Sequence, residues 1–121
     1  MALRYLLDEN LLALWAPIQQ HNRSSSFIID CVCVGDSEDL PRRSMDPRIL
    51  KWVERENRLL VSFDKRSLPG HLADHLAAGG HCPGIFLVRR RGSFNAVLSF
   101  PAAAAYASAP DEWRDGIYFI P

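Results

Sequence analysis

Three aspartates stand where predicted strands end or helices begin. Asp8 closes the run Leu-Arg-Tyr-Leu-Leu, Asp46 opens Asp-Pro-Arg-Ile-Leu, and Asp64 closes Leu-Leu-Val-Ser-Phe. In a parallel α/β sheet functional groups gather at the carboxyl edge of the strands, so carboxylates scattered along the chain can meet there. Magnesium and manganese favour oxygen ligands and are commonly held through a few carboxylates, with substrate phosphate completing the shell. The pattern therefore points toward phosphodiester chemistry. Glu9 and Asp36 lie close enough in sequence to join as outer ligands or as a base that orients water. If the three carboxylates converge, their repulsion raises at least one pKa until a cation neutralises them. Each also has a plain structural use: Asp46 and Asp8 as helix caps, Asp64 as the start of a turn.

A second group of residues could serve the same chemistry. Arg42, Arg43, Lys65, Arg66 and the run Arg89-Arg90-Arg91 could place positive charge around the mouth of an acidic site and hold a nucleic-acid backbone. The alternative is a set of solvated loops and ion pairs. With 14 basic and 14 acidic residues the chain has no bulk charge to grip a polyanion, so binding must come from local patches. His71 and His75, at i and i+4 with His81 and Cys82 close behind, could assemble a zinc site, although histidines on a solvated helix face are far commoner. No glycine-rich phosphate loop is present, and Ser62, Ser67 and Ser93 lack the context of an activated nucleophile. The acids after the first and third strands imitate the pocket of a phosphate-accepting receiver, but no lysine follows Lys65 to complete it.

The elements that must position these groups follow from hydrophobic period. Leu3 to Leu7, Phe27 to Val34, Leu59 to Phe63, Gly84 to Val88 and Gly116 to Ile120 read as five strands. Leu11, Leu14, Trp15 and Ile18 form a helical stripe capped by Asn10, with a kink or break expected at Pro17. Asp46-Pro47 reads as an N-cap followed by proline at the first helical position, ahead of Ile49, Trp52 and Val53. Leu68, Leu72 and Leu76 mark a helix ending at Gly79-Gly80, and Ser93 opens a last helical region bent at Pro101. Strand and helix alternate throughout, which predicts an α/β fold with a mostly parallel sheet and helices on both faces. At 121 residues, 48% of them apolar, the expectation is one domain spanning 1–121. Three cysteines, with Cys31 and Cys33 on one side of a buried strand, read as reduced thiols. The absence of a leader or of an apolar run near the ~20 residues of a membrane span gives a cytoplasmic expectation.

Taken in order, Leu-Leu-Asp-Glu-Asn, Asp46-Pro-Arg-Ile-Leu-Lys-Trp, and Glu56-Asn-Arg-Leu-Leu-Val-Ser-Phe-Asp64 resemble the small bacterial PIN-like proteins, relatives of the VapC toxins. Pro83 to Leu87 and the closing Ile-Tyr-Phe-Ile-Pro are similar to that family's fourth and last strands, so the likeness covers nearly the whole chain. The resemblance implies a PIN-like three-layer sandwich with a central sheet of about five strands. It implies that Asp8, Asp46 and Asp64 are metal-binding and catalytic, that the pocket takes Mg2+ or Mn2+, and that active relatives hydrolyse RNA. It further implies the toxin role in a toxin and antitoxin pair, and a homodimer. Many members carry a second acid two residues after the strand-end aspartate; here that position is Arg66, followed by Ser67. A cation there weakens metal binding, above all of a second ion, and leaves two readings: a metal-dependent ribonuclease, or a catalytically silent module that binds nucleic acid or a protein partner.

Overall fold

In the computed structural model, residues 3–24, 28–88 and 110–120 are described. The strands β1 (Arg4–Leu7), β2 (Asp30–Cys33), β3 (Leu59–Ser62), β4 (Ile85–Val88) and β5 (Ile117–Ile120) form one sheet in the order β2-β1-β3-β4-β5. Every neighbouring pair is parallel. Among the described residues three α-helices accompany it: α1 (Trp15–Ser24), which follows a 3-10 segment at Glu9–Leu14, then α2 (Asp46–Glu56) and α3 (Leu68–Ala77). The expected α/β sandwich with a parallel five-stranded sheet is thus what the chain forms. The helical region expected from Ser93, and with it Arg89, Arg90 and Arg91, lies outside the described residues.

Successive strand residues point to opposite faces, and the strands are apolar on both. Tyr5, Leu7, Cys31, Cys33, Leu59, Val61, Phe86 and Val88 meet Leu11, Leu14 and Ile18 of the first helical segment on one face. Leu6, Leu60, Ile85 and Leu87 meet Ile49, Leu50, Trp52 and Val53 of α2 and Leu68 and Leu72 of α3 on the other. Full burial of each such side chain is worth roughly 1.5–3 kcal/mol, so both interfaces are needed to hold three layers together. Cys31 and Cys33 share a face as expected, and Cys31, Cys33 and Cys82 are all free thiols. Among the described residues no helix is long and apolar enough to cross a membrane.

Three local expectations are corrected. Pro17 neither kinks nor breaks a helix: it is the third residue of α1, where an N–H has no intrahelical acceptor to lose, and the departure from helical geometry falls at Leu11 instead. Asp46 is not the cap of α2; Met45 holds that position in an extended conformation, and Asp46 is the first helical residue with Pro47 after it. β2 begins at Asp30, later than the apolar run suggests, because the Asn22 side chain takes the Ile29 backbone. Its amide oxygen accepts from the Ile29 N–H at 2.7 Å and its nitrogen donates to the Ile29 carbonyl at 2.9 Å.

Candidate functional site

The strand order places a switch point between β1 and β3, where connections leave for opposite faces of the sheet. The chain after β1 runs to the α1 face, while the chain after β3 runs to the α2–α3 face, and the two carboxyl ends are left with a crevice between them. Asp8 follows β1 there and donates its backbone N–H to the Val61 carbonyl at 2.9 Å. Asp64 follows β3. The amino end of α2, carrying Asp46, and that of α3, headed by Ser67, reach the same edge, as the contact of Ser67 with both Asp46 and Asp64 requires. Two helix N-termini bring partial positive charge to a place crowded with carboxylates.

Two serines tie these acids together. Ser62, fully buried at the end of β3, donates its hydroxyl to Asp8 Oδ2 at 2.8 Å and accepts the Asp64 N–H at 3.1 Å. Ser67 is the N-cap residue of α3, yet its hydroxyl makes no capping bond. It lies 3.1 Å from Asp46 Oδ2 and also contacts Asp64 Oδ2. A hydroxyl carries one proton and ionised carboxylates only accept, so Ser67 can satisfy one of the two acids and sets a lone pair against the other. Asp64 does the capping instead: its Oδ1 accepts the N–H groups of Arg66 at 3.1 Å and Ser67 at 3.0 Å. His71, one turn into α3, brings Nε2 to 3.8 Å from Asp46 Oδ2.

The electrostatics of the acids diverge. Burial pushes the Asp8 carboxyl above its ordinary range, the Ser62 hydroxyl and the Glu9 N–H pull it back, and the charges of Asp46 and Glu9 push it up again. Asp64 is held below its ordinary range by the Ser67 hydroxyl and N–H first, then by the Arg66 N–H and His71. One carboxyl resists ionisation beside another that keeps its charge.

The remaining expected residues fall into two sets. Glu9 takes the backbone N–H of Arg43, and Asp36 Oδ2 accepts from the Cys33 N–H at 2.9 Å, so each carboxylate holds a turn. Arg42, Arg43, Lys65 and Arg66 are exposed in the turns before α2 and α3 and make no ion pair among the described residues. The zinc arrangement does not assemble: His71 turns to Asp46, His75 to Glu54 at 3.1 Å, His81 to Asp115 at 3.1 Å, and Cys82 is buried in the core. Among the described residues no group of three or more His, Cys, Asp and Glu side chains is gathered as ligands of one ion. The donor chemistry of Asp8, Asp46 and Asp64 nonetheless suits a hard cation, and the shared Ser67 hydroxyl brings the carboxylates of Asp46 and Asp64 to one point. A cleft of about 560 Å³ at the opposite, amino edge, lined by Arg4, Asn57, His81, Pro83 and Arg114 among others, includes none of the three aspartates.

Ser62 and Ser67 were the residues that composition and spacing did not single out for this site. The signal was the spacing Ser-x-Asp-x-x-Ser, which lets one aspartate take N–H groups of the turn after it while a hydroxyl stands on either side. Comparison of the chain with protein-family models, with curated proteins and with solved structures returns no match.

Proposed function

We propose that the chain is a divalent-metal-dependent ribonuclease of the PIN-like type, with Asp8, Asp46 and Asp64 as the residues that would hold Mg2+ or Mn2+. The observation that carries this reading is the single Ser67 proton facing the carboxylates of Asp46 and Asp64, with the half-buried Asp8 alongside. Carboxylates held this close repel one another, as the rise of Asp8 beside Asp46 reflects in part, and a cation relieves that repulsion. When bound, the ion supplies polarisation of the phosphodiester and a lowered pKa for the attacking water. The side chains do the rest. Ser62 fixes Asp8 through Oδ2, so that this carboxylate would be held in place to orient the attacking water. Arg42, Arg43, Lys65 and Arg66 are free to offset charge on the phosphate. The toxin role, an antitoxin partner, a homodimer and a cytoplasmic location belong to the same proposal.

The test is cleavage of a labelled single-stranded RNA in manganese after chelator treatment. Wild type should cleave and Asp8→Asn should not; equal rates in the two proteins sink the assignment. A second reading, a silent module that binds nucleic acid or a protein partner, is favoured by Arg66 in the place of an acid and by the lack of a three-ligand group among the described residues. RNA binding without manganese-dependent cleavage would select it.

A further inference from the structure

We propose that the turn between β2 and α2, residues 35–44, is a preformed clamp for the backbone of a single-stranded polynucleotide, and that Glu9 is the positioning residue that holds it beside the acidic edge. The inference rests on reading that edge as a phosphodiester site and names how the substrate strand is held there.

The turn is tethered at each stage of its course. Gly35 has a φ of +101°, and a Cβ there would lie 2.7 Å from Arg42 Cγ, so the arginine stem crosses directly over the glycine. The Gly35 N–H donates to the Leu40 carbonyl at 2.9 Å, and Leu40 is buried in the core under α2. Asp39 takes the Trp52 indole N–H at 3.1 Å and the Arg55 guanidinium, while Arg48 donates to the Asp39 carbonyl at 3.0 Å. The last tether is Glu9, whose carboxylate accepts the Arg43 N–H.

What the tethers secure is unusual. Arg43 sits in the left-handed region at a φ of 66°, which non-glycine residues avoid and which persists only where the surroundings over-determine it. Its neighbours explain the use of that strain. Glu9 adjoins Asp8 and Asp46 follows Arg43 by three residues, so the Glu9–Arg43 contact ties the turn to residues next along the chain to two of the three site acids. Arg42 and Arg43 are exposed and lack an ion pair among the described residues, and guanidinium forks match phosphate oxygens. Two adjacent cations fixed next to the reacting position suit the phosphates that flank it, which position a strand without reading its sequence.

Glu9 provides a test by sign. A carboxylate next to an anion site weakens anion binding through its charge alone, so its removal should strengthen binding unless its hydrogen bond holds the clamp. The probe is a short fluorescein-labelled oligouridylate, followed by anisotropy in chelator so that no cleavage occurs. Arg42→Ala with Arg43→Ala should weaken binding about tenfold or more and reduce the salt slope by about 1.4, as for two phosphates on a single strand. Glu9→Ala should weaken binding despite the lost charge, and Glu9→Gln, which keeps the acceptor oxygen, should bind at least as tightly as wild type. Arg43→Gly, which keeps the turn conformation, should melt at a higher temperature and bind less tightly. Tighter binding by Glu9→Ala, unchanged binding by the double arginine variant, or no binding by wild type overturns the clamp. Because binding is read without metal, the clamp stands if binding behaves as expected and only manganese-dependent cleavage is missing; that outcome overturns the nuclease reading alone.

Discussion

The two edges of the sheet handle charge in opposite ways. At the amino edge every described carboxylate in the network meets a donor or a cation: Arg58 Nη1 lies 3.0 Å from both Asp30 Oδ1 and the Tyr5 carbonyl, and Arg4 adds a longer contact to Asp30. Glu54 takes His75 and the His81 N–H, and Asp115 takes the His81 ring and the Cys82 N–H. At the carboxyl edge Asp46 and Asp64 share one hydroxyl, and Asp8, half-buried and held by Ser62 and the Glu9 N–H, stands where Asp46 and Glu9 repel its charge. The amino-edge pairs join separate elements of the fold, whereas at the carboxyl edge carboxylates of opposite tendency stand together, Asp8 pushed up by burial and Asp64 held down by the Ser67 hydroxyl and N–H. The basic side chains near that edge point up the contrast, since Arg42, Arg43, Lys65 and Arg66 make no ion pair with the acids beside them.

The sharpest way to break the comparison is Asp8→Asn. Metal polarisation is worth several kcal/mol, so cleavage should fall on the order of a hundredfold or more, measured with labelled RNA in manganese. The same variant should raise the Tm of the metal-free protein at neutral pH, because it removes a charge that burial penalises while keeping an acceptor for Ser62. At the other edge Arg58→Ala should only cost stability. It removes a donor from the Tyr5 carbonyl and leaves Asp30 only the longer contact to Arg4, a loss of about 2 kcal/mol by denaturant titration, with metal affinity unchanged.

Acid separates the edges by sign. Asp115 and Glu54 have folded pKa values below their ordinary range, chiefly because they accept the Cys82 and His81 N–H groups. Their stabilisation is present above the unfolded carboxylate range near ~4 and is lost as pH falls through the folded values. Asp8 is the reverse: its penalty is present at neutral pH and vanishes as pH falls through its raised folded pKa. Melting curves should therefore place Asp115→Asn below wild type and Asp8→Asn above it at pH ~7, with both differences closing on acidification. The Asp115 effect should stay within about 1 kcal/mol, as for an exposed pair. The smallest expected signal is that of the thiols. Burial pushes Cys31 up to about 12 and Cys33 and Cys82 to about 11, so none should react with a disulfide reagent until the protein unfolds.

The sheet was legible because its strands are apolar on both faces, a pattern that a buried parallel sheet imposes on the chain itself. Strand ends were less so. Nothing local to Phe27–Ile29 reveals that Asn22 takes the Ile29 backbone, and Pro47 fits the second helical position as readily as the first. The three aspartates could be picked out because strand and helix ends are marked in sequence. Ser62 and Ser67 are marked only by their spacing around Asp64; their contacts to Asp8 and Asp46 span 54 and 21 positions and leave no local trace. Arg58 stands just before β3 and its partner Asp30 lies 28 positions away; only the registers of β1 with both β2 and β3 bring them together.

The carboxyl edge is proposed to take a divalent cation among Asp8, Asp46 and Asp64. Calorimetric titration of manganese into wild type and Asp64→Asn, after chelator treatment at near-neutral pH, tests it most directly. Binding by wild type that disappears in the variant is the predicted result. No binding by wild type, or equal binding by both, would contradict the account and move the assignment to a silent binding module.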